Sequence, residues 1–118
     1  MNPSATPVAR GAPAMTSDQL DVLRTMLEQQ RRFRLDQIEQ LRRSDRRGRL
    51  SAVDDEIGRS LLAGARAALR DVRQALDRMA DGSYGSCRQC GAKLAVERLE
   101  VLPQVSLCMP CQRDAELG

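Results

Sequence analysis

The sequence contains no histidine and no tryptophan, and Phe33 and Tyr84 are its only aromatic residues. Without histidine the commonest general base is missing, and there is neither a nucleophile with a partner nor a phosphate-cradling loop, which argues against an enzyme. Two aromatic side chains do not suffice for a large globular core. No apolar run approaches eighteen residues, and no signal-peptide core precedes the first charged segment. We therefore expect a cytoplasmic protein that makes no membrane contact.

Charged residues make up 30% of the chain, and 18 of the 19 basic residues are arginine. A composition rich in arginine, alanine and leucine favours long helices. The formal net charge is only +3. A net charge of this size does not call for a nucleic-acid partner.

The four cysteines form two Cys-x-x-Cys pairs, Cys87 with Cys90 and Cys108 with Cys111, separated by seventeen residues. This spacing is typical of a four-thiolate zinc site, in which two tight turns present their sulfurs to one metal ion. Two disulfides would need an oxidising compartment, and a redox pair would need a thioredoxin-like βαβ pattern; the sequence signals neither. Because four cysteine ligands leave no open position for water, we predict one structural zinc ion.

Residues 1–15 contain three prolines and no hydrophobic periodicity, which predicts a flexible tail. The first helix is predicted to start at Thr16, which can form a capping box with Gln19, and to run to about Arg43. Its apolar residues follow heptad spacing, so this helix needs a partner helix to be stable in water.

The partner helix is predicted to start near Ser51, a favourable N-cap, and to stop at Asp81, with Gly82 as its left-handed terminator. Apolar residues recur along it at alternating spacings of three and four. Two such helices joined by a short turn form an antiparallel coiled-coil hairpin over residues 16–80. Two helices of a larger bundle are the alternative, but little apolar sequence remains for further helices.

The tip of the hairpin, at about residues 42–51, is rich in arginine. Its candidate determinants are Asp45, Arg46, Arg47, Gly48 and Arg49. On the second helix Asp54 and Asp55 lie one or two turns below the tip. Either these opposite charges neutralise each other and keep the tip in water, or the tip is a probe that inserts into a partner.

Residues 81–118 are predicted to form a small zinc-finger module. Tyr84 is expected to pack where the hairpin meets the module, with its hydroxyl group free to bond the backbone. We expect a small hairpin or an irregular loop between the cysteine pairs, and a short C-terminal helix over 110–117 that opens with Pro110. The predicted fold is therefore mainly α: an antiparallel two-helix coiled-coil hairpin followed by a small four-cysteine zinc finger with a short C-terminal helix.

Three segments, residues 82–91, 98–103 and 107–112, read G-x-Y-G-x-C-x-x-C-G, R-L-E-x-x-P and L-C-x-x-C-Q. Together they resemble the signature of the DksA/TraR family, and the likeness in length and pattern extends over about residues 16–117. The resemblance implies a transcription regulator that binds RNA polymerase rather than DNA and inserts its coiled coil into the secondary channel of the polymerase. We expect a monomer, with zinc in a structural role.

The tip departs from the pattern of this family. Members commonly carry Asp-x-x-Asp-x-Ala between the helices, and this segment falls on residues 45–50 here. Only Asp45 matches, since Gly48 and Leu50 replace the second aspartate and the alanine. Asp54 and Asp55 can take the place of the missing acid only if the helices are registered differently.

Basic residues that bind the alarmone ppGpp in some family members fall on Asp71, Leu102 and Gln112 in this chain. None of these three residues is basic. The resemblance therefore predicts that this protein does not use ppGpp as those members do.

Two other classes of protein remain open from the sequence. A zinc-ribbon nucleic-acid-binding protein would use basic side chains near the cysteines as phosphate contacts, namely Arg88, Lys93, Arg98 and Arg113. The sequence offers no aromatic stacking platform for such a partner. A structural coiled-coil adapter would dimerise through leucines of the second helix, namely Leu62, Leu69 and Leu76.

Overall fold

The structure is a computed structural model that describes residues 14–46 and 52–117. The predicted flexible tail lies almost wholly outside these ranges. So do the predicted tip residues Arg47, Gly48 and Arg49, and the predicted cap Ser51.

Two helices of equal length dominate the described chain: α1 spans Ser17–Arg46 and α2 spans Ala52–Asp81, 30 residues each. At 1.5 Å per residue, each helix is about 45 Å long. Helix α1 continues three residues beyond the predicted end at Arg43, because the Ser-Asp-Arg sequence that follows contains no helix-breaking residue. No helix in the described ranges combines the length and hydropathy that crossing a membrane requires.

The start of α1 confirms the predicted capping box. The backbone N–H of Thr16 donates to Gln19 Oε1 at 2.9 Å, and the backbone N–H of Gln19 donates to Thr16 Oγ1 at 3.1 Å. Two N–H groups that have no partner within the helix are thereby satisfied. The sequence signal and the structure agree here because the motif is built from residues only three positions apart.

The two helices are antiparallel. Leu23 and Leu27, near the start of α1, share a buried cluster with Val72 and Ala75, near the end of α2. Towards the other end Ile38 forms a second buried cluster with α2 residues. Since early residues of one helix meet late residues of the other, the pair forms the predicted hairpin.

Helix α2 ends as the sequence predicts. Gly82 has a φ of +85°, a left-handed conformation that glycine adopts without steric cost. The backbone N–H of Ser83 then donates to the carbonyl oxygen of Arg78 at 3.0 Å. This is the hydrogen bond of a Schellman motif that spans six residues. Asp81 Oδ1 also accepts hydrogen bonds from Ser83 N at 2.9 Å and Ser83 Oγ at 2.6 Å, so the chain turns sharply towards the cysteines.

Two short helices complete the described chain: α3 spans Val96–Val101 and α4 spans Met109–Leu117. The expectation of a hairpin or irregular loop between the cysteine pairs was wrong, because α3 occupies six of those residues. Two valines lower the helix propensity of this segment, but burial of Leu99, which is fully covered, offsets this. Helix α4 begins one residue earlier than predicted, so Pro110 occupies its second position.

Candidate metal centre and its connection to the hairpin

The structure brings the four predicted ligands together. The sulfur atoms of Cys87, Cys90, Cys108 and Cys111 all lie within 4.8 Å of one another. Cys90 Sγ and Cys108 Sγ are 3.7 Å apart. Four sulfurs placed about 2.3 Å from a tetrahedral zinc ion are separated by about 3.8 Å. The separation of the sulfurs therefore fits one zinc ion at their centre.

The first cysteine pair lies in a tight backbone turn. The backbone N–H of Cys87 donates to the carbonyl oxygen of Ala92 at 2.7 Å, and that of Gly91 donates to Cys87 O at 2.8 Å. Gly91 has a φ of +80°, which explains why glycine follows Cys90. An isolated antiparallel bridge between Ser86 and Lys93 closes the turn. The turn thus holds two sulfurs on one side of the loop.

The second cysteine pair lies at the start of α4. The backbone N–H of Gln112 donates to Cys108 O at 2.8 Å, so Cys111 lies in the first turn of the helix. Pro110 fits there because its nitrogen would have no partner within the helix. The backbone N–H of Arg88 donates to Ser106 O at 2.9 Å, which ties the first turn to the segment that precedes the second pair.

The surroundings of the thiols favour metal binding. Burial raises the pKa of the Cys87 thiol, but hydrogen bonds from the backbone at Cys108, Cys90 and Gln89 outweigh it and lower this pKa to about 6. The pKa of Cys111 is raised, chiefly by its hydrogen bond with the Cys108 side chain and then by desolvation. Four adjacent sulfurs repel one another as thiolates, whereas a central dication stabilises all four charges.

The metal centre and the hairpin share one hydrophobic core. Cys87, Leu94, Leu99 and Leu107 of the cysteine-containing segment pack in the same buried cluster as Leu23, Leu27, Val72 and Ala75 of the two long helices. The segment is therefore attached rigidly to the base of the hairpin and is not suspended from a linker. Closure of the metal site and packing of the helix ends support each other.

Tyr84 lies at the centre of this junction and confirms its predicted role. Its side chain is buried, and its hydroxyl group donates to the carbonyl oxygen of Pro103 at 2.8 Å. Burial raises the pKa of Tyr84 to about 12, so the phenol is neutral at physiological pH. Pro103 is itself fully buried, and the sequence alone did not identify it as the partner.

The tip-proximal residues that the structure describes lie at the opposite end of the hairpin. Asp45 and Arg46 belong to the last turn of α1, while Asp54 and Asp55 belong to the first turn of α2. Helix geometry places these turns about 40 Å from the cysteines. The metal centre and the predicted tip therefore lie at opposite ends of the hairpin.

The residues named for the nucleic-acid-binding and adapter alternatives differ in burial and contacts. Arg98 is half-buried; its Nη1 donates to Met109 Sδ at 2.9 Å, and its buried Nε has no partner within the described chain. Its guanidinium group is therefore poorly placed for a phosphate contact, whereas Arg88, Lys93 and Arg113 are exposed. The adapter leucines pack within this chain: Leu62 and Leu69 lie with Ile38, and Leu76 lies against the junction core.

The structure defines a class of protein in which a two-helix hairpin carries a four-cysteine metal centre at its base. Comparison with known proteins agrees with this class. Residues 82–117 match the family model described as the prokaryotic dksA/traR C4-type zinc finger. The structure of the transcription factor DksA2 from Pseudomonas aeruginosa is similar with a TM-score of 0.73 and 28% sequence identity, covering 85% of this chain and 84% of that chain.

Two curated relatives are similar over less than half of this chain. General stress protein 16O of Bacillus subtilis (strain 168) is 40% identical over 48 residues, which is 41% of this chain and 29% of the relative. The RNA polymerase-binding transcription factor DksA of Escherichia coli (strain K12) is 31% identical over 49 residues, 42% of this chain and 32% of the relative. The chain thus spans about a third of the length of the curated relatives it matches.

The family model, the curated relatives and the similar structure all support a member of the DksA/TraR family. The C4-type family model and the clustered sulfurs together assign one structural zinc ion to the four cysteines. The relatives carry names of transcription factors and of a stress protein, not of enzymes.

Proposed function

We propose that this protein binds RNA polymerase and regulates transcription, with the α1–α2 hairpin inserted into the secondary channel of the polymerase. The observation that carries the proposal is the likeness to DksA2 over 85% of the chain, which includes both the hairpin and the zinc finger. Curated relatives named RNA polymerase-binding transcription factors support the same partner.

The shape of the hairpin suits insertion into a narrow channel. Two helices about 45 Å long present a cross-section only two helices wide. Their base is fixed by the shared core around Leu99 and Tyr84. A projection that is rigid at its base can hold its tip at a defined depth in a partner, because the position of the tip then follows from docking of the base.

In this proposal the zinc finger stabilises the base of the hairpin. Four protein ligands leave no coordination position for substrate or water, so the metal has a structural role. The cysteines hold the segment between residues 82 and 117 against the hairpin. Transcription would then be changed by the tip, and the metal would act only by keeping the hairpin base folded.

The first experiment measures binding of the zinc-loaded protein to purified bacterial RNA polymerase by size-exclusion co-migration and fluorescence anisotropy. We expect a saturable complex that is retained when nucleic acid has been removed with nuclease. A protein that leaves polymerase unbound, but binds free DNA or RNA in a salt-sensitive way, would contradict the proposal and favour the nucleic-acid-binding alternative.

The second experiment tests the tip. Reversal of its charges through Asp45→Lys with Arg46→Glu and Arg49→Glu is expected to change promoter-dependent transcription in vitro without changing zinc content. The physical reason is that these charges would face the interior of the polymerase, whereas the cysteines lie about 40 Å away. Arg32→Glu, an exposed substitution in the middle of α1, serves as the control. Wild-type transcription by the tip variant would refute the role of the tip.

A third experiment addresses ppGpp. The three family positions discussed above are occupied by Asp71, Leu102 and Gln112, and Gln112 Nε2 donates to Glu116 Oε2 at 3.0 Å. Without cations at these positions, we expect the effect of the protein on transcription to be the same with and without ppGpp. Tight binding of ppGpp that requires this protein in the polymerase complex would contradict the expectation.

A further inference from the structure

A basic groove runs along one side of the hairpin, midway between the zinc finger and the tip. Residues of both helices line it: Leu35, Ile38 and Arg42 from α1, and Arg66, Leu69, Arg70, Arg73, Gln74 and Asp77 from α2. Its volume is about 590 Å³, which is large enough to receive several side chains of a partner.

Four arginines and one acidic residue, Asp77, line this groove. Arg42, Arg66, Arg70 and Arg73 are all exposed, and none forms a hydrogen bond or ion pair within the described part of the chain. On α1, by contrast, Arg24 pairs with Asp21 at 3.0 Å and Arg43 pairs with Glu39 at 3.1 Å. The lining of the groove therefore carries an excess of three positive charges, and these arginines have no partner among the described residues.

The spacing of these arginines is regular. Residues 66, 70 and 73 follow one another at four and three positions, so their side chains form a stripe about 10 Å long on α2. Carboxylates spaced by three and four residues on a partner helix, or by two on an extended segment, would meet such a stripe. Arginine also binds carboxylates through two parallel hydrogen bonds, which favours acidic side chains as its partners.

The floor of the groove distinguishes a protein partner from a nucleic acid. Ile38 and Leu69 form the floor, and Leu35 is 41% exposed beside them. Among the described residues that line the groove there is no aromatic side chain on which a base could stack. Aliphatic side chains flanked by cations suit an amphipathic protein segment that carries both leucine-like and acidic residues.

We propose that this groove, lined by Arg66, Arg70 and Arg73, docks an acidic, amphipathic segment of RNA polymerase. The inference rests on the proposed function and adds a second contact to it, on the flank of the hairpin and not at its tip. Docking along the flank would fix how far, and in which rotational orientation, the hairpin enters its partner.

The test compares two charge reversals on the same protein scaffold. Arg70→Glu, within the groove, is expected to weaken polymerase binding by about 5-fold, and the Arg66→Glu/Arg70→Glu pair by more, because like charges then face each other. Arg32→Glu makes the same charge change at an exposed α1 position outside the groove and should alter binding less than about 2-fold. Circular dichroism checks that all three variants remain folded.

A crosslinking experiment identifies what occupies the groove. The photoreactive amino acid p-benzoylphenylalanine is placed at position 35 inside the groove, and at position 33, which is 62% exposed and lies outside it. Position 35 is expected to crosslink to a polymerase peptide rich in aspartate and glutamate, and position 33 is expected not to label that peptide.

The outcomes separate the two proposals. If the wild-type protein does not bind polymerase, the proposed function and the groove both fail. If it binds, but Arg66→Glu/Arg70→Glu binds equally well, only the groove proposal is overturned. A crosslink from position 35 to nucleic acid or to a peptide without acidic residues would also overturn it.

Discussion

Single residues at the junction show how a small protein with few aromatic side chains orders its base. The Tyr84 phenol is buried, and its one hydrogen bond reaches the carbonyl oxygen of Pro103, nineteen residues away. Arg78 lies beside it with a partly buried guanidinium group, whose pKa is lowered by desolvation first and by the charge of Arg88 second. The polar groups of Tyr84 and Arg78 thus lie at the core of the junction, where packing restricts the orientation of each side chain.

The Tyr84 hydrogen bond can be tested by removing one oxygen atom. Tyr84→Phe is expected to lower the free energy of unfolding by about 1–2 kcal/mol, because the buried Pro103 carbonyl loses its partner. Urea denaturation of the zinc-loaded protein measures this change. Phe33→Leu is the matched control, since Phe33 is 62% exposed and its replacement should change stability by less than about 0.5 kcal/mol. Equal stability of Tyr84→Phe and wild type would contradict the role of the bond.

Tyr84 also predicts a pH dependence. Its pKa is raised from 10.0 to about 12 by burial, so the folded state favours the neutral phenol. The resulting stabilisation is fully present below pH 10 and is lost as the pH rises from 10 towards 12. Tyr84→Phe has no phenol to ionise and should lose less stability than wild type over this range. Parallel losses in urea titrations of both proteins would show that another group is responsible.

At the scale of elements, the two long helices are specified by local signals, whereas the short helices depend on their surroundings. The capping box of α1 and the glycine end of α2 are complete within a few residues. Helix α3 has only six residues and no side-chain cap at its start, so burial of Leu99 stabilises it. Short segments of this kind are helical because the fold covers them.

Helix α2 contains an exposed glycine that offers a test of helix propensity. A methyl group added at Gly64 would meet no atom within 4 Å. Gly64→Ala should therefore stabilise the protein by about 0.5–1 kcal/mol, since alanine loses less backbone entropy in a helix. Thermal or urea unfolding measures the gain.

Gly82→Ala provides the matched control for that substitution. A methyl group there also meets nothing within 4 Å, but the residue has a φ of +85°. This change should destabilise by about 1–2 kcal/mol through backbone strain alone. The same sign of effect at Gly64 and Gly82 would refute the explanation by backbone conformation.

At the scale of the whole molecule, two buried clusters divide the hairpin. The larger one joins the helix ends to the metal centre, and the smaller one, around Ile38, Ala65 and Leu69, lies nearer the tip. The division into a hairpin over 16–80 and a zinc-finger module over 81–118 stays a prediction, and the larger cluster crosses this boundary. Loss of the metal should consequently destabilise both the zinc-finger module and the hairpin.

Removal of zinc tests this coupling. Chelation should unfold the segment around α3 and α4, because structural zinc contributes about 10–16 kcal/mol of binding free energy and the segment has little core of its own. Since Leu99 and Leu107 pack with Leu23 and Leu27, we also expect the melting temperature of the hairpin to fall. Circular dichroism and trypsin cleavage after Lys93 measure the two effects.

The control for the chelation experiment is restoration of the folded signal by added zinc. Metal analysis must show that chelation has emptied the site. A protein that has lost its metal, yet retains its helical signal and its resistance to trypsin, would show that the shared core alone maintains the base.

The sequence by itself determined the features that depend on neighbouring residues and fixed spacings. The two Cys-x-x-Cys pairs predicted the zinc site, and the segments around them, including Tyr84, carried the resemblance to the DksA/TraR family. Thr16 with Gln19, and Gly82, predicted the ends of the long helices. In each case the few residues that act together lie close in the chain or belong to a motif of known spacing.

Only the tertiary structure decided which distant residues meet. It showed that Pro103 accepts the Tyr84 hydrogen bond, that Leu99 makes α3 a helix, and that Arg98 points towards Met109. It also placed Arg42 of one helix beside the arginine stripe of the other. Helix propensity and residue spacing describe a segment on its own. These contacts instead arise from packing between segments that lie far apart in the sequence.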